Sequence, residues 1–354
     1  MKVSSPSGDV EYLPSKLDNK TKELMEVLFS KDMRNEVLAT FDLDLKRLPL
    51  GVPSEQQIQI GISILNEIED KLGGGDISES YHELSSRFYT AIPHSFGRRV
   101  PPVIDSQTSL QQRYDMCNIL LDMFSQNEAI RKIEENQTTQ KVPYPADSHY
   151  DSLNADMEHV DKKSDEWKTI LKYFDETKNS GTLLDAWKVE RKGERDRFSE
   201  FDKLDNRRLL WHGTNIGVVA PIITSGLRIM PHSGGRVGSG IYLASMQQKS
   251  AQYTSGYGSK FACMFLCEGA LGKPHVIYQD DWTIKKPPTG FDSVLASGQV
   301  APKVWKDLDV DRKQVSVPQS KGEPQSSHSS FYHDEFLVYN ESQVRLRYVL
   351  TVQM

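Results

Sequence analysis

The spacing of apolar residues changes once along this chain, and that change constrains the fold more than any other feature. Up to about residue 135 apolar side chains recur at helical intervals, whereas later they gather in short runs, one of them strictly alternating. Leu24, Val27 and Leu28 share a face, and Met33, Val37 and Phe41 follow at i, i+4, i+8. A Pro/Gly turn from Pro49 to Pro53 precedes Ser54 and Gln57, a capping-box pair that predicts a helix with Ile58, Ile62, Leu65, Ile68 and Leu72 inward. Gly73, Gly74 and Gly75 stop it. After a connection bearing Pro93, Pro101 and Pro102, Ser109 and Gln112 repeat the pattern before a long helix with a stripe of Leu110, Tyr114, Cys117, Leu121 and Phe124. Such stripes are core, and no catalysis is read from them.

Residues Glu134 to Asp147 are polar, carry two prolines and show no period, which marks a linker. Beyond it, Ser164 precedes a helix with Trp167, Ile170, Leu171 and Phe174. Strand-like runs follow at Arg208 to Trp211, Gly240 to Ala244, Phe261 to Glu268, Glu335 to Tyr339 and Val344 to Val352. Short helices are expected near Gly217 to Ser225 and Gln247 to Tyr253. Few strands are separated by helices long enough for regular βαβ units. The expected class is therefore α+β, an all-helical N-terminal bundle followed by a mixed, mostly antiparallel domain. Its boundaries are expected at 13–140 and 144–354. Pro318 to Ser330, poor in apolar residues, reads as a mobile surface loop.

With ~150 residues per domain as a prior, 354 residues make about two domains. Forty-three basic against forty-nine acidic residues leave a net charge of −6, unlike a mainly nucleic-acid-binding domain. No run approaches ~18 apolar residues, and MKVSSPSGDVEY lacks the apolar core of a signal peptide. No membrane association is expected, and the sequons at Asn19, Asn136 and Asn340 carry no meaning in an intracellular protein. Cys117, Cys263 and Cys267 form no CxxC pair, which excludes a structural zinc site; the latter two lie in an apolar run and read as core. No metal is expected. Gly269 to Lys273 lacks P-loop spacing, and Gly235 to Gly240 fails the dinucleotide fingerprint.

Three segments remain: Leu209-Leu210-Trp211-His212-Gly213-Thr214, Gly238-Ser239-Gly240-Ile241-Tyr242-Leu243-Ala244 with Lys249, Ser250 and Tyr253 behind it, and Asp334-Glu335-Phe336-Leu337-Val338-Tyr339. A glycine after the strand-end His212 lets a ligand approach the backbone. Alone, the histidine, the tyrosine and the glutamate each fit an ordinary structural role. Together, in this order, they resemble the His-Tyr-Glu triad of the poly(ADP-ribose) polymerase (PARP) family. The upstream half resembles the helical regulatory domain of its DNA-damage-responsive members. FDLDLKRLPLG, SSRFYTAIPH and SGLRIMPHSGGRVGSGIY look most like a nuclear member that transfers mainly single ADP-ribose units. The resemblance runs from about Leu13 to Met354.

The resemblance implies a transferase that uses NAD+ as co-substrate, with no metal. Gly213 and Ser250 would bond the nicotinamide carboxamide, Tyr253 and Tyr242 would flank its ring, and His212 would bond the adenosine ribose. Glu335 would bond the nicotinamide ribose and be the catalytic carboxylate, with His212 and Tyr242 completing the triad. Thr214, Arg228 and Gly240 are further donor-side candidates. Asp122 would lie near the adenosine side and Lys249 near the acceptor. The loop from Met230 to Ser239 is short compared with that of chain-forming members. Protein acceptors, the enzyme itself included, would be modified on acidic or serine side chains in the nucleus. DNA-break sensing would need a WGR module, expected upstream of Leu13. The helical domain would restrain NAD access. A non-catalytic NAD- or ADP-ribose-binding module and an NAD glycohydrolase are the alternatives. Glu335 argues against the first, because a carboxylate beside a developing ribosyl cation has a use only in the transition state.

Overall fold

The computed structural model describes residues 12–44, 47, 53–135, 143–229, 235–254, 261–326 and 328–354. The chain divides into two compact units, Met1–Asn154 and Ala155–Met354.

The first unit is built from helices α1 (Asn19–Leu28), α2 (Lys31–Ala39), α3 (Glu55–Leu72), α4 (Tyr81–Ala91), α5 (Gln107–Glu135) and α6 (Pro145–Ser152). The box at Ser54 and Gln57 closes α3 as expected, with Gly73 at its other end. Ile58, Leu65 and Ile68 are buried, but Ile64 replaces the half-buried Ile62 and Leu72. The second box lies one turn earlier than expected: the Ser109 amide donates to Ser106 Oγ, so α5 begins before Ser109. Its stripe rotates accordingly, from Leu110, Tyr114 and Cys117 to Leu120 and Met123, leaving Leu121 and Phe124 half-buried. Helix α4 occupies part of the expected proline-bearing connection, and Ser80 and Glu83 form a third capping box at its start. Most of the Pro49–Pro53 turn and half of the 134–147 linker lie outside the described residues; of the linker's described part, Glu134 and Glu135 end α5 and Pro145 to Asp147 open α6.

The second unit is α+β, with a mixed, mostly antiparallel sheet. Its strands are β1 (Ala155–His159), β2 (Thr182–Arg191), β3 (Arg207–Gly213), β4 (Ile241–Ala244), β5 (Phe261–Ala270), β6 (Pro274–Ile277), β7 (Ser293–Ala296), β8 (Val300–Pro302), β9 (Trp305–Val310), β10 (Lys313–Pro318), β11 (Gly322–Pro324), β12 (Glu335–Val338) and β13 (Val344–Gln353). The main sheet runs β1-β2-β13-β5-β3-β4-β12-β7-β6, with β10 joining β3 and carrying β9. Helices α7 (Asp165–Thr177), α8 (Glu194–Ser199), α9 (Val219–Ser225) and α10 (Gln247–Ala251) connect these strands. The Ser164 hydroxyl caps α7, which lays Trp167, Ile170, Tyr173 and Phe174 on the sheet against Trp211. The alternation expected along β13 is broken by a bulge between Leu346 and Tyr348, and Val349 is buried beside Leu350. Between Pro318 and Ser330, the segment read as a mobile loop contains β11, paired with β8.

One buried ion cluster stitches the sheet. Glu268, fully buried on β5, accepts from Arg207 Nη1 at 2.8 Å and Arg347 Nε at 2.7 Å. Arg347 and Arg345 also reach Asp311, at 2.9 and 2.8 Å. Asp311 sits with Arg312 in the β9–β10 turn, where both residues have positive φ, as a two-residue hairpin turn requires. Burial acts to raise the Asp311 carboxyl, but Arg347, Arg345 and Arg195 outweigh it and hold it at about 2.

Candidate active site

The site residues of the second unit come from three neighbouring strands and one short helix. Glu335 opens β12 opposite Ala244, and Ala244 in turn faces Trp211 on β3. Leu337 faces Tyr242. Side chains directly opposite in antiparallel strands share a face, so Glu335 and Tyr242 stand on the same side of the sheet.

Glu335 is 4% exposed, and Lys249 Nζ lies 2.9 Å from its Oε1. Burial works against the Lys249 charge, yet the adjoining carboxylate outweighs it and raises the lysine pKa. Lys249 also donates to the Tyr253 hydroxyl at 3.4 Å, and the Tyr253 ring is 59% exposed. That leaves an aromatic face open for stacking beside the ion pair.

His212 Nδ1 is 3.0 Å from the Tyr242 carbonyl oxygen. Burial depresses the imidazole pKa, so the ring is neutral, Nδ1–H donates to that carbonyl, and Nε2 keeps its lone pair. The Ser250 hydroxyl donates to the Trp211 carbonyl at 3.1 Å. Its oxygen can then only accept from a ligand, which suits an amide N–H. Gly213 ends β3 in van der Waals contact with the backbone of Ser250, and an added Cβ would fall on the Ser250 carbonyl oxygen. Substitution of Gly213 by alanine is expected to push α10 off the strand end. It should raise the KM for NAD at least about tenfold, with overpacking costing roughly 1–3 kcal/mol of stability. Steady-state kinetics and thermal melts check this.

The Tyr242 hydroxyl accepts from the Val237 amide at 3.0 Å and donates to the Gly238 carbonyl at 2.7 Å. Its ring is thereby a held wall, and burial pushes the phenol pKa up. Gly238 has φ +73°, and a Cβ there would strike the Ile284 carbonyl, so the turn that presents Tyr242 needs glycine. Gly240 packs between the Val338 carbonyl and the Tyr339 ring just before β4. Thr214 is half-buried just past β3, and Arg228 is exposed beyond α9. Asp122 belongs to the first unit, half-buried on α5. Of the loop from Met230 to Ser239, residues 230–234 lie outside the described residues.

Two supports were not anticipated. Asp334 Oδ1 accepts from the Gly298 amide at 2.8 Å and Gln325 Nε2 at 2.6 Å, anchoring the chain immediately before Glu335. Arg236 forms a two-pronged bond to Asp280, at 2.9 and 2.6 Å, and holds the turn in front of Tyr242. A partner forty-four residues away leaves no trace in local spacing. Cys117, Cys263 and Cys267 are buried, and burial pushes all three thiols up, to about 12 for the first two. None is a nucleophile. Among the described residues no group of three or more side chains could hold a metal ion, and no helix is long and apolar enough to cross a membrane.

The histidine, tyrosine and glutamate picked out in the sequence thus come from the neighbouring strands β3, β4 and β12, with Gly213 at the end of the first. The family model of the poly(ADP-ribose) polymerase catalytic domain matches residues 164–354, and that of the PARP regulatory domain matches 15–150. The chain belongs to the poly(ADP-ribose) polymerase family. It is 45% identical over 352 residues to the human protein mono-ADP-ribosyltransferase PARP3, covering 96% of this chain and 66% of that protein. The mouse protein of the same name is 46% identical over 372 residues, covering all of this chain and 70% of its own length. Poly [ADP-ribose] polymerase 1 of Danio rerio is 34% identical over 96% of this chain but only 34% of that protein. The chain thus spans about two thirds of the length of its PARP3 relatives.

Proposed function

We propose that this chain is the regulatory and catalytic part of an NAD-dependent protein mono-ADP-ribosyltransferase of the PARP3 type. It transfers ADP-ribose to acidic or serine side chains of nuclear proteins and of itself, and releases nicotinamide. The observation that carries this reading is the buried Lys249–Glu335 pair at 2.9 Å, next to the Tyr242 wall and the open Tyr253 ring.

Gly213 and Ser250 would hold the carboxamide, Ser250 as acceptor because its proton is already given to Trp211. Tyr253 and Tyr242 would sandwich the nicotinamide ring, and the lone pair at His212 Nε2 would accept a hydroxyl of the adenosine ribose. Thr214, Arg228 and Gly240 would complete the donor side within the catalytic unit. When the glycosidic bond breaks, nicotinamide leaves neutral with the bonding electrons and positive charge develops on the ribose. Glu335 stabilises that charge more in the transition state than in the ground state. The acceptor oxygen then bonds the anomeric carbon, and its proton passes to Glu335 or to water. Lys249 holds the Glu335 carboxylate in place before the acceptor arrives. The resemblance to damage-responsive relatives supports nuclear localisation and DNA-break sensing through a WGR module in the same protein.

Incubation with labelled NAD tests the reading. Label on protein as single units supports it, whereas release of free ADP-ribose alone marks a glycohydrolase and unconsumed NAD marks a binding module. The regulatory helices are proposed to hold the catalytic unit in a low-activity population. Removal of residues 1–140 is therefore expected to raise basal NAD turnover, and an unchanged rate would leave these helices a scaffold.

A further inference from the structure

A groove of about 670 Å³ crosses the catalytic unit, between the β9–β10 hairpin on one side and β1 with the start of α7 on the other. Its floor is apolar, formed by Leu209, Ile170, Val317 and the Tyr348 ring. Its walls carry seven carboxylates against three cations among the described lining residues. Two of those cations are already engaged, Lys188 at 2.9 Å from Glu166 and Arg347 bonded to Glu268 and Asp311, and four of the carboxylates are engaged too: Asp165 by Lys168, Glu166 by Lys188, Glu190 by Arg345, and Asp311 by Arg195, Arg345 and Arg347. Asp156 and Asp309 stand exposed on the walls with no ion-pair partner among the described residues, and Glu158 stands exposed opposite Lys188 in the β1–β2 register. The β1–β2 register also sets Asp156 directly opposite Glu190. Like charges so opposed cost stability; Arg345 already meets Glu190, so Asp156 is the carboxylate of this pair left for a cationic occupant.

We propose that this groove docks an extended lysine- or arginine-rich segment of an acceptor protein, its methylene stems on the apolar floor and its charged ends on the two acidic walls. Long basic side chains suit such a site, since they bury their stems while their heads meet carboxylates. A nucleic acid would be repelled. Calling the partner an acceptor rests on the transferase reading, but the binding itself does not. In the sheet, β5, β3 and β4 separate β13 at the groove from β12 with Glu335. Four inter-strand steps span about 20 Å, which extended chain covers in about six residues. A basic cluster held in the groove would thus deliver a residue about that far along to the reacting centre.

The test is fluorescence anisotropy on the full chain with a labelled lysine-rich peptide of about ten residues and a glutamate-rich peptide of equal length. The lysine peptide is expected to bind and the glutamate peptide not. Binding should weaken about tenfold in the Glu158→Lys/Asp309→Lys double variant and again in about 0.5 M salt. NAD consumption without peptide should be unchanged, because neither residue belongs to the site around Glu335. The milder Asp156→Asn/Glu158→Gln variant should melt no lower than the parent and still bind the lysine peptide more weakly. Equal affinity of parent and variants, or no binding by the parent, overturns the docking proposal. Normal peptide binding with no label transferred from NAD would instead overturn the transferase reading alone.

Discussion

Replacing Glu335 by glutamine is expected to leave NAD binding nearly intact while cutting transfer by roughly 10²-fold or more. Glutamine preserves shape and can still bond a ribose hydroxyl, so ground-state affinity suffers little. On the proposed mechanism, what disappears is the negative charge facing the ribosyl cation, and with it an interaction stronger in the transition state, of the size that positioned acid–base and electrostatic groups contribute. The variant also strands Lys249, whose ammonium now has Glu335 at 2.9 Å. Its raised pKa should therefore fall, since burial alone opposes the charge. Single-turnover transfer, a binding isotherm for NAD and titration of Lys249 separate these effects. Near-normal turnover would refute the assignment of Glu335.

Replacing Glu268 by alanine should destabilise the catalytic unit by about 3–5 kcal/mol, the usual result of removing one partner from a buried ion cluster. Arg207 is 4% exposed and bonds Glu268 at 2.8 Å, so the substitution leaves a guanidinium in the interior with the peripheral Asp202, the Phe201 carbonyl and the Phe198 ring as its partners among the described residues. Arg347 keeps Asp311 but loses its shorter bonds. For a unit of this size the melting temperature should drop by about 10 °C. Equilibrium unfolding checks it, and a loss under about 1 kcal/mol would mean that water reaches the cluster. The effect bears on the site, because β5 lies beside β3 and pairs His212 with Phe265.

Much of the helical unit was legible, since caps are local chemistry. Ser54 with Gln57 obeyed the rule, and so did Ser80 with Glu83, at the start of a helix that occupies part of the expected proline-bearing connection. Ser109 misled because Ser106 stands three residues before it and shares its hydroxyl chemistry. Strands were harder. β1 and β9 read as polar because they expose many side chains, and β2 was missed although its burial is high. The alternation in β13 failed because a bulge between Leu346 and Tyr348 shifts its register and residues on both of its faces are buried.

The order of chemical types along the chain, from a histidine and glycine at a strand end to a tyrosine on a strand to a late glutamate, belongs to the sequence alone, and it sufficed to indicate the chemistry. Tertiary structure decided what those groups do to one another. Only the β4–β12 register and the short helix after β4 bring Lys249, eighty-six residues upstream, against Glu335. Only the packing of Ser250 on Trp211 turns its hydroxyl outward as an acceptor and makes any side chain at position 213 intolerable. Local spacing encodes backbone preference, which acts over a few residues. Charge pairing and close contact depend on distances that chain connectivity does not set.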